Sequence, residues 1–207
     1  MDIIIVTCVA QNKINETQEN YKIRESQYMY SFARLFSYKL PIYCVVSETY
    51  NLPLYYPISQ FPFKKIVNIE STIQLLGNVC QSMKEFISLK YLVQNMDIND
   101  NTWIIKTSGR YLLEDDTFVT LVKNTNNSTE AIIRSCDNDT QIYTFLFAMR
   151  FKHFKNLFQN FMIENNVNLE RFVYLYILEF IPKENIKYVD HLGIFCNIAC
   201  ENTYLHF

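Results

Sequence analysis

Three runs of almost uninterrupted apolar sequence constrain this chain most: Ile3–Val9 (IIIVTCV), residues 42–47 (IYCVVS) and residues 102–107 (TWIIKT). A strand covered on both faces reads this way, without the alternation of a half-exposed strand. Between the first two runs, residues 22–38 place Ile23, Phe32, Leu35 and Phe36 at helical spacing, with Arg24, Glu25 and Gln27 polar, and Pro41 closes the unit. Strand, helix and strand in that order give a parallel pair joined by a crossover.

Before the third run come an irregular loop, a short strand and a helix. The loop spans residues 51–63, with Pro53, Pro57 and Pro62 among Tyr55, Tyr56 and Phe61. Its length implies either a function or packing by its own aromatics. Residues 65–69 read as a strand, and residues 79–95 as a helix with Met83, Phe86, Ile87, Tyr91 and Leu92 on one side. The C-terminal half is mixed. Acids at 114–116 open a helix through 118–123, followed by strands at 130–134 and 141–149 and helices at 152–165 and 169–180, the last closed by Pro182. A short strand at 186–189 precedes an apolar tail. The pattern predicts one α/β Rossmann-like domain over residues 1–207, with a mainly parallel central sheet flanked by helices and a mixed C-terminal part.

Glycine is scarce enough to exclude whole classes of site. The chain has only Gly77, Gly109 and Gly193 in 207 residues, and neither G-x-G-x-x-G nor G-x-x-x-x-G-K occurs. A net charge of −2 argues against a nucleic-acid partner bound over the whole surface. None of the six cysteines forms C-x-x-C, and Cys8 and Cys44 lie within apolar runs, which suits reduced core thiols. The N-terminal apolar run has no basic segment before it and is too short to span a bilayer, so a cytoplasmic protein without a transmembrane segment is expected. Abundant Asn, Ile, Tyr, Phe and Lys is the bias of an A+T-rich genome.

In sheets of this kind ligands sit outside the carboxyl ends of the strands. The residues there are 7–10, Ser47 and Glu48, 106–111, Arg150, and Asp190 with His191. Lys106-Thr107-Ser108-Gly109-Arg110-Tyr111 offers a lysine point charge, a forked guanidinium and two small residues that permit close backbone approach, which together suit an anion. The same string also reads as a plain turn with a surface ion pair to Glu114 or Asp115. Gly77 and Asn78 precede a helix whose second turn carries Lys84 and Glu85; a ligand contact and a solvated face both remain open. Asp190 and His191 are the parts of a general base, or a turn cap beside a half-exposed imidazole. Asp137 and Asp139 form a D-x-D that reads as a polar loop, and His153 and His206 have no partner at ligand spacing.

The order IIIVTCV, KIRESQYMYSFARLF, PIYCVVSE, MKEFISLKY, IIKTSGRYLL, TFLFAMRF and YVDHLGI resembles small glycosyltransferase-A-like proteins of large DNA viruses and bacterial polysaccharide loci. The K-x-S-G-R-Y and V-D-x-L-G strings are its most specific parts. The resemblance implies transfer of a sugar from a nucleotide-diphosphate sugar to a glycan acceptor. It implies Thr7 and Val9 beside the base or ribose, Glu48 at the second strand end, and Asn78, Lys84 and Glu85 on the donor-side helix. Lys106, Ser108, Gly109 and Arg110 would stand at the diphosphate. Asp190 and His191 would close the acceptor side, Asp190 as the acceptor base with His191 and Glu48 as alternates for it. Metal-dependent relatives hold Mn²⁺ or Mg²⁺ with a D-x-D at the end of the central strand. Here that place reads Lys106-Thr107-Ser108, so cationic side chains would take over that electrostatic work. A non-catalytic nucleotide-sugar-binding or interaction module stays open beside the enzyme.

Overall fold

A computed structural model of the chain describes residues 2–9, 18–47, 58–77, 79–135, 140–162, 164, 168–198 and 203–206. Among these, seven strands form one sheet and three form a second. In chain order the first elements are β1 (Ile3–Val9), α1 (Gln18–Ser37), β2 (Ile42–Val46), β3 (Lys65–Asn68), α2 (Glu70–Leu76), α3 (Gln81–Gln94) and β4 (Trp103–Ser108). Then come β5 (Leu112–Leu113), α4 (Thr117–Asn124), β6 (Ala131–Ile133), β7 (Leu146–Arg150), α5 (Phe151–Asn160) and α6 (Leu169–Phe180). A 3₁₀ turn (Lys183–Asn185) leads to β8 (Ile186–Tyr188), β9 (Ile194–Ile198) and β10 (Thr203–His206).

The large sheet runs β3-β2-β1-β4-β7-β6-β8. β1 pairs in parallel with β2 on one side and β4 on the other, in the register Val6↔Lys106 and Cys8↔Ser108. The chain therefore reverses its direction of travel across the sheet at β1, and the crevice outside β1 and β4 is the switch point where such sheets bind ligands.

Both faces of the sheet are covered, which is why β1, β2 and β4 read as unbroken apolar runs. Strand alternation sorts their side chains. Ile4, Val6, Cys8 and Ile104 face α3, α5 and α6, where Phe86, Leu89, Phe154, Phe158 and Val173 close the layer. Ile3, Ile5, Val9, Trp103 and Ile105 face α1 and α4, with Phe32, Phe118 and Val122. The described part of the proline-rich segment packs on α1. Phe61 stacks on Phe36 with ring centroids 5.4 Å apart, and Phe63 meets Phe32 edge-on at 5.2 Å.

The sheet is parallel across β3, β2, β1 and β4, but β7 runs antiparallel to both β4 and β6. The cause lies in the link between β6 and β7. Among the described residues it shows no crossover helix and is drawn together by an antiparallel bridge between Ser135 and Ile142, the way a hairpin-like return pairs strands antiparallel. The strand expected over 141–149 is accordingly confined to β7, and the helix expected over 152–165 starts at Phe151 and ends at Asn160. The small sheet β10-β9-β5 takes up the apolar tail.

Candidate functional site

A cavity of about 220 Å³ opens at the switch point. Cys8 from β1, Ser47 after β2, and Lys106 and Ser108 from β4 line it from below. Gln81, Glu85 and Ser88 of α3 and Glu170 of α6 line it from one side; Arg110, Tyr111, Thr144 and Phe145 complete the wall with Tyr28 of α1. The N-terminus of α6 is fastened to that of α3, because Leu169 N–H donates to Ser82 Oγ at 3.3 Å. Asn168 caps α6, its side-chain oxygen accepting from Arg171 N–H at 3.1 Å.

Lys106 shares the face of β4 that carries Ile104, so its stem lies in the core layer and its side chain is 1% exposed. It donates to Thr144 O at 2.6 Å and forms an ion pair with Glu85. Burial pulls the Lys106 pKa down, but the Glu85 and Glu170 carboxylates more than offset this, and it ends above the ordinary lysine value. Lys106 is therefore a permanent cation whose charge is already matched, not a free charge waiting for a diphosphate. Thr144 Oγ1 donates in turn to Glu170 Oε1 at 3.1 Å, which joins both carboxylates and the ammonium in one cluster. Burial pushes the Cys8 thiol up to about 12 despite Lys106 nearby, so it stands in the wall as a neutral thiol.

The turn after β4 explains Gly109. A Cβ there would lie 2.5 Å from Cys8 O and 2.9 Å from a Tyr28 ring carbon, because the turn folds back until Gly109 N–H reaches Cys8 O at 3.2 Å. Ser108 N–H donates to Phe145 O at 2.8 Å. The turn then presents Arg110 across the Tyr111 ring, with the guanidinium carbon 5.0 Å from the centroid and Nη2 3.1 Å from Tyr111 Oη.

The cavity thus brings together Glu85, Lys106, Ser108 and Arg110 from the sequence expectation, with Gly109 behind them. Other expected residues fall elsewhere. Thr7 and Val9 take the opposite face of β1 from Cys8 and are fully buried toward α1, so they do not line the cavity. Lys84 lies on α3 outside the lining, and its carbonyl accepts from Ser88 Oγ at 2.7 Å. Asp190 and His191 are exposed beyond the edge strand β8 and do not line the cavity either. Glu48, Asn78, Asp137 and Asp139 lie outside the described residues. Arg150 corrects its own expectation. Because β7 is antiparallel, its carboxyl end lies at the opposite end of the sheet, where Arg150 stacks 4.4 Å over Trp103 and donates to Thr129 O and Asn101 O.

Glu170 and Thr144 went unread in the sequence. A lone acid in the first turn of a helix signals only a match to the helix dipole. Among the described residues no group of three His, Cys, Asp or Glu side chains could hold a metal ion. At the end of β4, where a D-x-D would sit, the carboxylates of Glu85 and Glu170 surround an ammonium instead. That donor set does not fit a divalent cation.

No protein-family model and no curated protein sequence matches the chain. Solved structures match over most of its length. The inositol-1-phosphate CTP transferase from T. maritima is 12% identical, with 91% of this chain and 84% of that chain covered and a TM-score of 0.56. The 4-diphosphocytidyl-2C-methyl-D-erythritol synthase from Anaerococcus prevotii is 11% identical over 91% and 86%, with a TM-score of 0.54. Mouse xyloside xylosyltransferase 1 is 10% identical over 92% and 85%, with a TM-score of 0.52. The chain therefore has an α/β Rossmann-like fold with a mixed, mostly parallel central sheet, the architecture of GT-A-like transferases and nucleotidyltransferases. At these identities the likeness shows the fold alone. Among the described residues no helix is long and apolar enough to cross a membrane.

Proposed function

We propose that the chain is a glycosyltransferase of the glycosyltransferase-A kind, taking a nucleotide-diphosphate sugar as donor and a glycan as acceptor. The observation that carries this reading is the polar, mixed-charge cavity at the β1/β4 switch point. Its volume of about 220 Å³ is below the ~300–1,000 Å³ of sites that enclose a whole small ligand. It suits one part of a donor, with the remainder lying across its mouth. Half-buried Arg110, stacked on Tyr111, is the residue placed to meet the diphosphate and to stabilise it as leaving group. The segment after β1, AQNKINET, contains no glycine. A glycine-rich phosphate-loop motif is thus missing from the sequence there, which favours sugar transfer over nucleotidyl transfer.

A thermal-shift panel of UDP-, GDP-, dTDP- and CMP-sugars, with CTP and dTTP for comparison, tests this directly. A sugar nucleotide at a hundred times its Kd stabilises the fold by about 2.7 kcal/mol. Arg110→Ala weakens that donor by roughly tenfold or more. Stabilisation by CTP or dTTP but by no sugar nucleotide refutes the reading. One observation favours a second reading, binding without transfer: Lys106 is already neutralised by Glu85. Release of nucleoside diphosphate from the bound donor, with or without an acceptor, separates the two.

A further inference from the structure

The cavity's spare hydrogen-bonding groups identify which part of the donor enters it, on the reading that the donor is a sugar nucleotide. Lys106 uses two of its three N–H groups, on Thr144 O and Glu85. Glu85 uses Oε1 on Lys106, and Glu170 uses Oε1 on Thr144, so among the described residues one oxygen of each carboxylate has no hydrogen-bond partner. On these three side chains one donor and two carboxylate oxygens therefore remain, facing a space of about 220 Å³. Among the described residues its charged groups are two cations, Lys106 and Arg110, and two anions, Glu85 and Glu170.

A phosphate placed beside Lys106 would meet two carboxylates with spare lone pairs, and like charges at contact are strongly disfavoured. The first N–H groups of α6 do not change this, since Ser82 and Asn168 already take those of Leu169 and Arg171. A sugar is neutral and its hydroxyls both donate and accept, which matches two carboxylate acceptors around one ammonium.

We infer that this cavity holds the neutral sugar of the donor, with Glu170 and Glu85 accepting from its hydroxyls, and that Glu170, oriented by Thr144, sets sugar affinity while the diphosphate stays at Arg110. The ammonium held by Glu85 disfavours a divalent cation beside these carboxylates, and the test checks that point as well.

The experiment compares UDP with UDP-glucose, and GDP with GDP-mannose, by titration calorimetry on the full chain. In the wild type the sugar adds about tenfold in affinity over the matching diphosphate. Glu170→Gln keeps the shape and removes the charge, while Thr144→Val removes the hydroxyl that orients it. Both variants bring the ratio of sugar nucleotide to diphosphate close to one and leave the diphosphate affinity unchanged. Equal loss of diphosphate and sugar nucleotide in Glu170→Gln overturns the assignment and leaves the donor reading standing. Stabilisation by Mn²⁺ alone that disappears in Glu170→Gln also overturns it, in favour of a cation. Binding of neither diphosphates nor sugar nucleotides removes both the assignment and the donor reading.

Discussion

Replacing Lys106 by methionine tests the central claim about the site, that the lysine is a buried, matched cation. Methionine fills much of the same space in the layer beneath α3, so the change isolates the ammonium. The loss has two parts. Thr144 O loses a donor at 2.6 Å, and Glu85 loses its ion-pair partner. Breaking a fully buried pair by removing one member costs ~3–5 kcal/mol. Glu85 retains 23% of its side-chain exposure, so water partly resolvates the orphaned carboxylate. The expected loss is thus at the lower end, about 3 kcal/mol, and for a chain of this size the melting temperature falls by about 6–12 °C. Glu85→Gln in the Lys106→Met background removes the unmatched charge and restores about 1–2 kcal/mol. Urea unfolding of the wild type, both single variants and the double variant closes the cycle. A Lys106→Met protein within about 0.5 kcal/mol of wild type, or a double variant no more stable than Lys106→Met, would refute the buried pair.

Three further outcomes follow from the geometry. Gly109→Ala drives a Cβ to 2.5 Å from Cys8 O, so it loses about 1–3 kcal/mol and weakens donor binding by displacing Arg110; Gly77→Ala, with φ +70, ψ −134 and open space around it, loses about 1–3 kcal/mol in unfolding titrations through backbone strain alone and leaves binding intact. The Cys8 thiol is raised from 9.0 to about 12 by burial, and burial also raises Cys44; the folded state holds these protons more tightly, so stability is complete below pH 9.0 and declines as the pH climbs from there, and both thiols resist iodoacetamide at pH 8 until the chain unfolds. Burial lowers the His153 pKa below 6.5 against the opposing pull of Glu130, with Lys152 lowering it further; the neutral ring is favoured in the fold, so stability falls as the pH drops through 6.5, and His153→Gln flattens that part of the profile measured by urea titration.

The elements that carried the most burial were the most legible. β1, β2 and β4 announce themselves because sheet and helices cover them on both sides, and α6 matches its expected span because Asn168 caps its start and Pro182 follows its end. α2 went unseen because Ile73 is its one buried residue, too little to produce a period. The direction of β7 was illegible for a different reason: an apolar run carries no sign of its orientation, which is fixed by how the chain returns from β6. The same reversal moved Arg150 to the far end of the sheet. In the site, Lys106, Ser108 and Arg110 were legible as a strand end and its turn, whereas Glu170 and Thr144 meet only through tertiary packing, 26 residues apart in the chain.

Strand alternation decides which of these residues can act on a ligand. On β4 it sends Thr107 toward α1 and Lys106 toward α3, where the ammonium falls within reach of Glu85 and of the Thr144 carbonyl. A charge on the strand itself is thereby spent on holding α3 and the approach to β7 to the sheet. Arg110 lies past Gly109, off the strand, in a turn that can bend back onto β1 only if position 109 carries no side chain. The cationic function inferred from the whole K-x-S-G-R-Y string therefore divides in two. Lys106 builds and holds the cavity floor, Gly109 lets the turn fold back onto β1, and Arg110 is the cation that the proposed reading sets against the donor's diphosphate.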